Sequence, residues 1–264
     1  MVAVLGIDAA WTPKQPSGLA VGVKKGARWQ IVVARKSYAD FLGDPNRSDA
    51  LPPVENLLNA AERMAARPID LVSIDMPLSK AVINGRRLAD NAISSAYGAR
   101  KAGTHTPSSE RPGPISFKLM SGLEASGYPL ITNSVTLPGT IEVYPHPALI
   151  ELTGASERLT YKAAKLRRYW PELVPSQRRE RLVETWQEII NHLEAKVDGA
   201  AEQLPTISSS ATGRELKAFE DMLDAIVCVW VGIETIEGRS KAYGDENAAI
   251  WVPSPSVQAT AGGS

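Results

Sequence analysis

The sequence predicts an α/β protein in which a mixed sheet is flanked by helices. Two largely apolar segments, residues 2–7 and 69–74, each end in an aspartate, Asp8 and Asp75. Such segments are typical of central strands that are buried on both faces. Between them, residues 51–66 carry apolar side chains at the spacing of an amphipathic helix. The alternation of strand and helix patterns favours the α/β class.

Shorter signals predict the other elements. Residues 18–23 and 29–34 predict two strands, and the polar, glycine-containing turn at 24–27 joins them in a β-hairpin. Pro68 ends the helix over 51–66. The remaining predictions are helices over 86–97, 148–152, 175–196 and 214–236, strands over 140–144 and 248–252, a loop over 104–114 and a linker over 198–213.

These elements predict one domain over residues 1–253. We expect helical and loop insertions at about 76–137 and 153–213. The tail over 254–264 is expected to be disordered.

Charge and cysteine content narrow the classes of function. Lys and Arg number 29, as do Asp and Glu, so any anion site must be a local patch. Cys228 is the only cysteine, which excludes an internal disulfide and a zinc site built from Cys and His. The first apolar run is too short for a signal peptide, and no stretch has the length of a membrane span. We therefore expect a cytoplasmic protein without a membrane partner.

Acidic side chains lie where the predicted strands end. Asp8, Asp75 and Glu142 each occupy such a position, and sites in sheets with parallel strands form beyond the carboxyl ends of the strands. A carboxylate there must be solvated, paired or bound to a cation. Taken alone, each of the three is better explained as a helix cap or a turn residue.

The last predicted helix strengthens the case for a metal site. Asp221 and Asp224 are three positions apart, so they are neighbours on the helix surface and repel each other. Their face continues as Ala225, Cys228 and Gly232, and these small residues allow a close approach to a sheet. Mg²⁺ or Mn²⁺ would offset the repulsion and suits phosphoryl transfer. The alternative is a solvated helix face.

The order of these elements resembles that of ribonuclease H-like nucleases. The whole chain, over about residues 3–253, resembles more closely the family named domain of unknown function 429. The resemblance rests on Gly6-Ile-Asp-Ala-Ala-Trp11, Ser73-Ile-Asp-Met-Pro77, Gly85-Arg-Arg-Leu-Ala-Asp90, Tyr97-Gly-Ala-Arg100, Ile141-Glu-Val-Tyr-Pro-His-Pro147, Tyr161-Lys162, Glu220-Asp-Met-Leu-Asp-Ala225 and Tyr243-Gly-Asp245.

The resemblance implies a ribonuclease H-like fold and a metal-dependent phosphodiesterase activity. The implied cofactor is Mg²⁺ or Mn²⁺, and the implied partner is nucleic acid or another phosphodiester. Metal ligands would be Asp8, Asp75 and Asp224, although Glu220 and Asp221 remain open as the ligand from the last helix. The candidate catalytic residues are Asp8, Asp75, Glu142, Asp221 and Asp224.

Basic and histidine side chains are candidates for binding the substrate. They are Arg86, Arg100, His105, Arg111 and His146. The arginines lie in the stretch that follows the second predicted aspartate, from which a loop could reach over the site to phosphates. His146 lies between two prolines and His105 two positions before Pro107, and both are also typical of turn residues. A second basic stretch, residues 158–181, fits phosphate contact and solvated surface equally well.

Two rival functions come from other classes. An actin-like small-molecule kinase shares a related core and an early aspartate, but it needs two such domains and a glycine-rich phosphate loop that this sequence lacks. A non-catalytic protein that binds nucleic acid or another ligand is the second rival. Calorimetry with Mg²⁺, Mn²⁺ and ATP separates the three hypotheses.

Overall fold

A computed structural model describes residues 2–48 and 50–254. The predicted disorder of the tail concerns residues that, apart from Ser254, lie outside this range. The strands are β1 (Ala3–Asp8), β2 (Gly18–Lys25), β3 (Arg28–Arg35), β4 (Leu71–Asp75), β5 (Gly139–Val143), β6 (Ser240–Gly244) and β7 (Ala249–Pro253). The helices are α1 (Tyr38–Leu42), α2 (Val54–Ala65), α3 (Leu88–Tyr97), α4 (Gly113–Ala125), α5 (Pro145–Thr153), α6 (Leu166–Tyr169), α7 (Pro175–Glu194) and α8 (Gly213–Ile236). A short 3₁₀ helix, Ala163–Lys165, precedes α6.

The seven strands form one mixed sheet in the order β3-β2-β1-β4-β5-β7-β6. Strands β1, β2 and β3 are successively antiparallel. From β1 the sheet continues through β4, β5 and β7 in parallel pairs, and β6 closes the far edge as an antiparallel strand. The carboxyl ends of β1 and β4 therefore lie side by side.

Helices cover both faces of this sheet. Helix α8 lies on one face, where Val4, Leu71 and Ile141 pack into a core that also includes α7. Helices α1, α2 and α4 cover the other face, where Leu5 and Ile74 belong to a second core. The regions 76–137 and 153–213, which we predicted as insertions, hold α3 and α4 and the segment from the 3₁₀ helix to α7.

Glycines bring α8 into backbone contact with the sheet. A Cβ atom added at Gly6 would collide with the carbonyl oxygen of Ala225 and lie 2.8 Å from the backbone nitrogen of Val229. A Cβ added at Gly18 would meet the backbone of Asp221. The predicted small-residue face of the last helix is thus confirmed as the face that contacts the sheet.

The sequence predicted most of the elements but missed five. The hairpin, the central strands and the long helices lie within a few residues of their predicted positions. Helices α1, α4 and α6, the 3₁₀ helix and strand β6 were not predicted. Helix α4 begins with Gly113 and Pro114, and proline is tolerated at the start of a helix because the first amides need no partner there. Strand β6 is a partly exposed edge strand without apolar alternation. No helix in the described part of the chain is long and apolar enough to cross a membrane.

The contact between α8 and the sheet can be tested with Gly6→Ala. We expect this substitution to lower the free energy of unfolding by about 2–3 kcal/mol, because the clashing atoms belong to the backbone and cannot rotate away. Gly85→Ala is the matched control, since a Cβ there meets no atom within 4 Å. Urea unfolding of both variants measures the difference. Equal stabilities would contradict the close packing.

Candidate functional site

Two aspartates lie side by side at the carboxyl ends of neighbouring parallel strands. Asp8 on β1 and Asp75 on β4 are register partners in the parallel pair. Both side chains therefore lie on the same face of the sheet. That face is the one covered by α8, because Gly6 and Ser73 on the same strands contact this helix. Both aspartates are partly buried.

Helix α8 adds three acidic residues to this pair. Glu220, Asp221 and Asp224 are 3%, 2% and 0% exposed. Asp221 lies close enough to Asp8 for its charge to raise the pKa of the Asp8 carboxyl, and Oδ2 of Asp221 is buried without a hydrogen-bond partner in the described structure. The five carboxyl groups form a group that we call the acidic cluster: Asp8, Asp75, Glu220, Asp221 and Asp224.

Two lysines lie against the acidic cluster. Lys162 forms an ion pair with Asp224, and its Nζ is 3.5 Å from Oε1 of Glu220. Lys217 forms ion pairs with Asp221 and with Glu220, the latter at 3.1 Å. The ion pairs of the cluster thus involve the three acids of α8, and among the described residues none includes Asp8 or Asp75.

Neutral donors hold the same side chains in place. The hydroxyl of Tyr161 donates to Oδ1 of Asp224 at 2.9 Å. The backbone N–H of Ala163 donates to Oε2 of Glu220 at 2.6 Å. The segment 161–163 is therefore fixed to α8 through both of these acids.

Burial and mutual repulsion favour the protonated acids. Burial, together with the neighbouring Asp224, raises the pKa of Asp75 to about 7 against the opposing effect of Lys162. Burial and the charges of Asp224 and Asp221 hold the pKa of Asp8 well above its usual value. Burial also raises the pKa of Asp221 and of Asp224. The cluster therefore carries more acidic groups than its two lysines can compensate.

Glu220 differs from the other two acids of α8 in the direction of its pKa shift. Burial alone would raise its pKa, but Lys162 and Lys217 hold it below the usual value. Glu220 is thus an ionised partner of the two lysines. Asp221 and Asp224, by contrast, retain raised pKa values next to Asp8.

The donor set matches a hard divalent cation in its chemistry, because carboxylate oxygens are the ligands that Mg²⁺ prefers. In the described ranges, however, no three His, Cys, Asp or Glu side chains are arranged so that they could hold a metal ion. The carboxylates of Asp221 and Asp224 face lysines instead. The pair Asp8 and Asp75 is the part of the cluster without an ion pair.

Glu142 belongs to a separate network. Its register partner is Ile74, so its side chain leaves the sheet on the face opposite to Asp75. Arg87 binds it with two hydrogen bonds, at 2.6 and 2.7 Å, and also pairs with Asp90 at 2.9 Å. The backbone N–H of Leu78 donates a third bond to Glu142 at 2.7 Å. Glu142 and Asp75 both line a small cavity of about 40 Å³, and the charge of Glu142 contributes to the raised pKa of Asp75.

The arginines proposed to bind substrate are placed differently from one another. Arg86 donates to Oδ1 of Asn91 at 2.6 Å and to the carbonyl oxygen of Asp90 at 2.9 Å. Arg100 pairs with Glu151 at 2.8 Å and donates to two backbone carbonyl oxygens of the loop after α5. Both side chains therefore hold loops together. Arg111, by contrast, is exposed.

The two candidate histidines lie near the cavity rim. His105 is exposed and lines the cavity together with Asp75 and Tyr144. His146 is 6% exposed, and its ring makes edge contacts with Tyr144 and Tyr161 at centroid distances of 5.2 and 5.4 Å. Burial and nearby cations hold the pKa of His146 well below its usual value, so its imidazole is neutral.

Sequence reasoning missed the basic partners of the site. Lys162 and Arg87 lie within motifs that carried the family resemblance, but nothing local indicates their contacts with acids 55 or more residues away. Lys217 was detectable, because it precedes Glu220 and Asp221 by three and four positions on a helix.

The fold and the site define an α/β protein with a buried carboxylate–lysine cluster at the carboxyl ends of parallel strands. Residues 6–248 match the family described as protein of unknown function (DUF429), and the chain belongs to this family. The resemblance inferred from the motifs is thereby confirmed. No curated protein matches the sequence.

The network around Arg87 can be tested with Arg87→Met. Removing the guanidinium leaves Glu142 and Asp90 buried without their counter-ion, which we expect to cost about 3–5 kcal/mol of unfolding free energy. The exposed Arg111→Met is the control. Chemical denaturation of both variants at neutral pH makes the comparison. A loss below about 1 kcal/mol for Arg87→Met would show that the network contributes little to stability.

The raised pKa of Asp75 predicts how stability changes with pH. The folded state binds the proton on Asp75 more tightly than the unfolded state does, because an aspartate in an unfolded chain has a pKa of about 3.9. The contribution of this proton to the free energy of unfolding is fully present below about pH 4. It is lost as pH rises through about 7, at up to about 1.4 kcal/mol per pH unit.

Asp75→Asn should remove this part of the pH dependence. We expect urea midpoints measured at pH 5 and pH 8 to fall less for the variant than for the wild type. The exposed Asp44→Asn should leave the wild-type slope unchanged. Equal slopes for Asp75→Asn and the wild type would mean that Asp75 has an ordinary pKa.

Proposed function

We propose that this protein is a metal-dependent phosphodiesterase with a ribonuclease H-like fold, and that its substrate is nucleic acid or another phosphodiester. The observation that carries the proposal is the register pair of Asp8 and Asp75 at the carboxyl ends of adjacent parallel strands. Helix α8 adds Asp221 and Asp224 on the same face. The same features, together with the antiparallel first three strands, support the ribonuclease H-like assignment.

Asp8 and Asp75 are the residues that would hold Mg²⁺ or Mn²⁺. They take part in no ion pair among the described residues, and Mg²⁺ is commonly bound through only one or two carboxylates together with water. Asp221 or Asp224 would join them only after its lysine has moved away. When bound, the ion would supply a nucleophilic water and charge stabilisation at the phosphate.

The chain's own residues set the conditions for this chemistry. Burial and repulsion keep Asp8 and Asp75 partly protonated without a cation, so cation binding must release protons. Metal affinity should therefore rise with pH through about 7. Lys162 and Lys217 hold the acids of α8 in place and offset part of their repulsion until a cation binds.

Asp8→Asn tests the metal site directly. We expect Mn²⁺ affinity to fall by about 100-fold or more, because one of two principal ligands is lost. The thermal midpoint without metal should stay the same or rise, since one repelling carboxyl is removed. Isothermal titration calorimetry and thermal unfolding give the two readouts. Unfolding of the variant with unchanged Mn²⁺ affinity would show that Asp8 has a structural role only.

Activity is tested in the same set of proteins. Wild type and Asp44→Asn should hydrolyse single-stranded or structured nucleic acids in the presence of Mn²⁺, whereas Asp8→Asn and Asp75→Asn should not. Equal rates in all four proteins would indicate a contaminating nuclease. Absence of hydrolysis in the wild type, despite metal binding, would contradict the proposed activity.

The two lysines favour a second candidate, a non-catalytic binding protein with the same fold. Lys162 and Lys217 already neutralise part of the acidic cluster, and no three potential ligands in the described part of the chain are arranged for a metal ion. Calorimetry separates the candidates: binding of Mn²⁺ without ATP supports the phosphodiesterase, and binding of neither supports the binding protein. Binding of ATP would instead support a small-molecule kinase.

A further inference from the structure

A group of cations without acidic partners lies next to the acidic cluster. Arg158 precedes the 3₁₀ helix, Lys165 ends it, and Arg168 lies on α6. The ion pairs among the described residues include none of these three side chains. By contrast, Arg87, Arg100 and Lys162 all pair with carboxylates.

Buried polar atoms in this region also lack partners. Nε of Arg158 is buried and has no hydrogen-bond partner in the described structure. The same holds for Nδ1 of His146, whose whole side chain is more than nine-tenths buried. A buried polar nitrogen without a partner is costly, so a ligand that hydrogen-bonds to these two atoms would be stabilised here.

The cations are close enough to repel one another. Burial lowers the pKa of Lys165, and Arg158 and Arg168 lower it further, while Glu220 of the acidic cluster opposes them. Partial burial, Lys165 and Arg158 likewise lower the pKa of His105. Because no ion pair among the described residues offsets this repulsion, an anion from outside the chain would stabilise the group.

The cations are also linked to the acidic cluster. Lys162, which pairs with Asp224, accepts the backbone hydrogen bond of Lys165 at 2.9 Å. On the other side, His105 lines the same small cavity as Asp75. The cationic group therefore borders the site at which we propose that phosphodiester cleavage occurs.

We propose that Arg158, Lys165 and Arg168 form a phosphate-binding subsite. His105 and His146 complete it, the latter as a neutral imidazole. Assigning the bound phosphate to the substrate rests on the proposed phosphodiesterase function, whereas binding of the anion itself does not. The subsite places a phosphate group beside the acidic cluster, where the repulsion between carboxylates and phosphate would otherwise keep it away.

The three histidines of the chain make this proposal measurable by NMR. Inorganic phosphate is titrated into the full-length protein with EDTA present, and the imidazole signals of His105, His146 and His192 are followed. We expect saturable shifts for His105 and His146. His192, near the C-terminal end of α7, should not move. Bound phosphate should also raise the pKa of His105, because the anion offsets Lys165 and Arg158.

Charge-removing variants then define the site. Arg158→Gln combined with Lys165→Gln should weaken phosphate binding at least tenfold, and Lys165→Gln alone should weaken it several-fold. Neither variant should unfold, because each removes repulsion. Arg167→Gln, the exposed neighbour of Arg168 on α6, is the control and should bind as the wild type does. Wild-type affinity in the double variant, or equal shifts of all three histidines, would overturn the proposal.

A comparison of ligands identifies the source of the phosphate. Tighter binding of tetrathymidylate than of inorganic phosphate supports a nucleic-acid backbone, and the reverse order supports a small phosphate ester. Failure of the proposed function is distinguishable from failure of the subsite. If metal binding and activity are absent while phosphate still binds in EDTA, only the phosphodiesterase function is refuted. If metal binding and activity are present while phosphate does not bind, only the subsite is refuted.

Discussion

The close approach of α8 to the sheet brings the acids of the helix and the acids of the strands together. Gly6 and Gly18 leave no side chain between the strands and the helix backbone, so Asp221 and Asp224 are carried to the strand ends that hold Asp8 and Asp75. Buried acids this close together would destabilise the fold if all were ionised. The raised pKa values of Asp8 and Asp224, and the ion pairs of Lys162 and Lys217 with the acids of α8, follow from this packing.

The chain as a whole is neutral, with 29 basic and 29 acidic residues, yet its charges are sharply separated at the site. An excess of carboxyl groups lies beside a group of cations that form no ion pair in the described part of the chain. Lys162 is the boundary between them, because it pairs with Asp224 and precedes Lys165 by one turn. Opposite charges are thus concentrated in two adjoining parts of one surface.

A second buried network of ion pairs, around Arg87, lies outside the acidic cluster. Arg87 ties Glu142 on β5 to Asp90 on α3 and accounts for both charges. Because Glu142 leaves the sheet on the face away from α8, this network stiffens the segment after β4 without taking part in the acidic cluster. Arg86 and Arg100 hold neighbouring loops in the same manner. Arg86, Arg87 and Arg100 therefore hold segments of the fold together.

The sequence by itself determined the parts that depend on local pattern. The spacing of apolar residues along the chain predicts the central strands and the aspartates at their ends. The same kind of pattern predicts that α8 is covered on two sides. Helix α4 was not predicted, because it begins with Gly113 and Pro114, two residue types that are typical of loops. The long-range partners of Asp224 and Glu142 were decided only by the tertiary structure, whereas Lys217 lies within helical reach of Glu220 and Asp221 in the sequence. Lys162 meets Asp224 across 62 residues, and Arg87 meets Glu142 across 55, and such contacts exist only once the sheet has brought distant segments together.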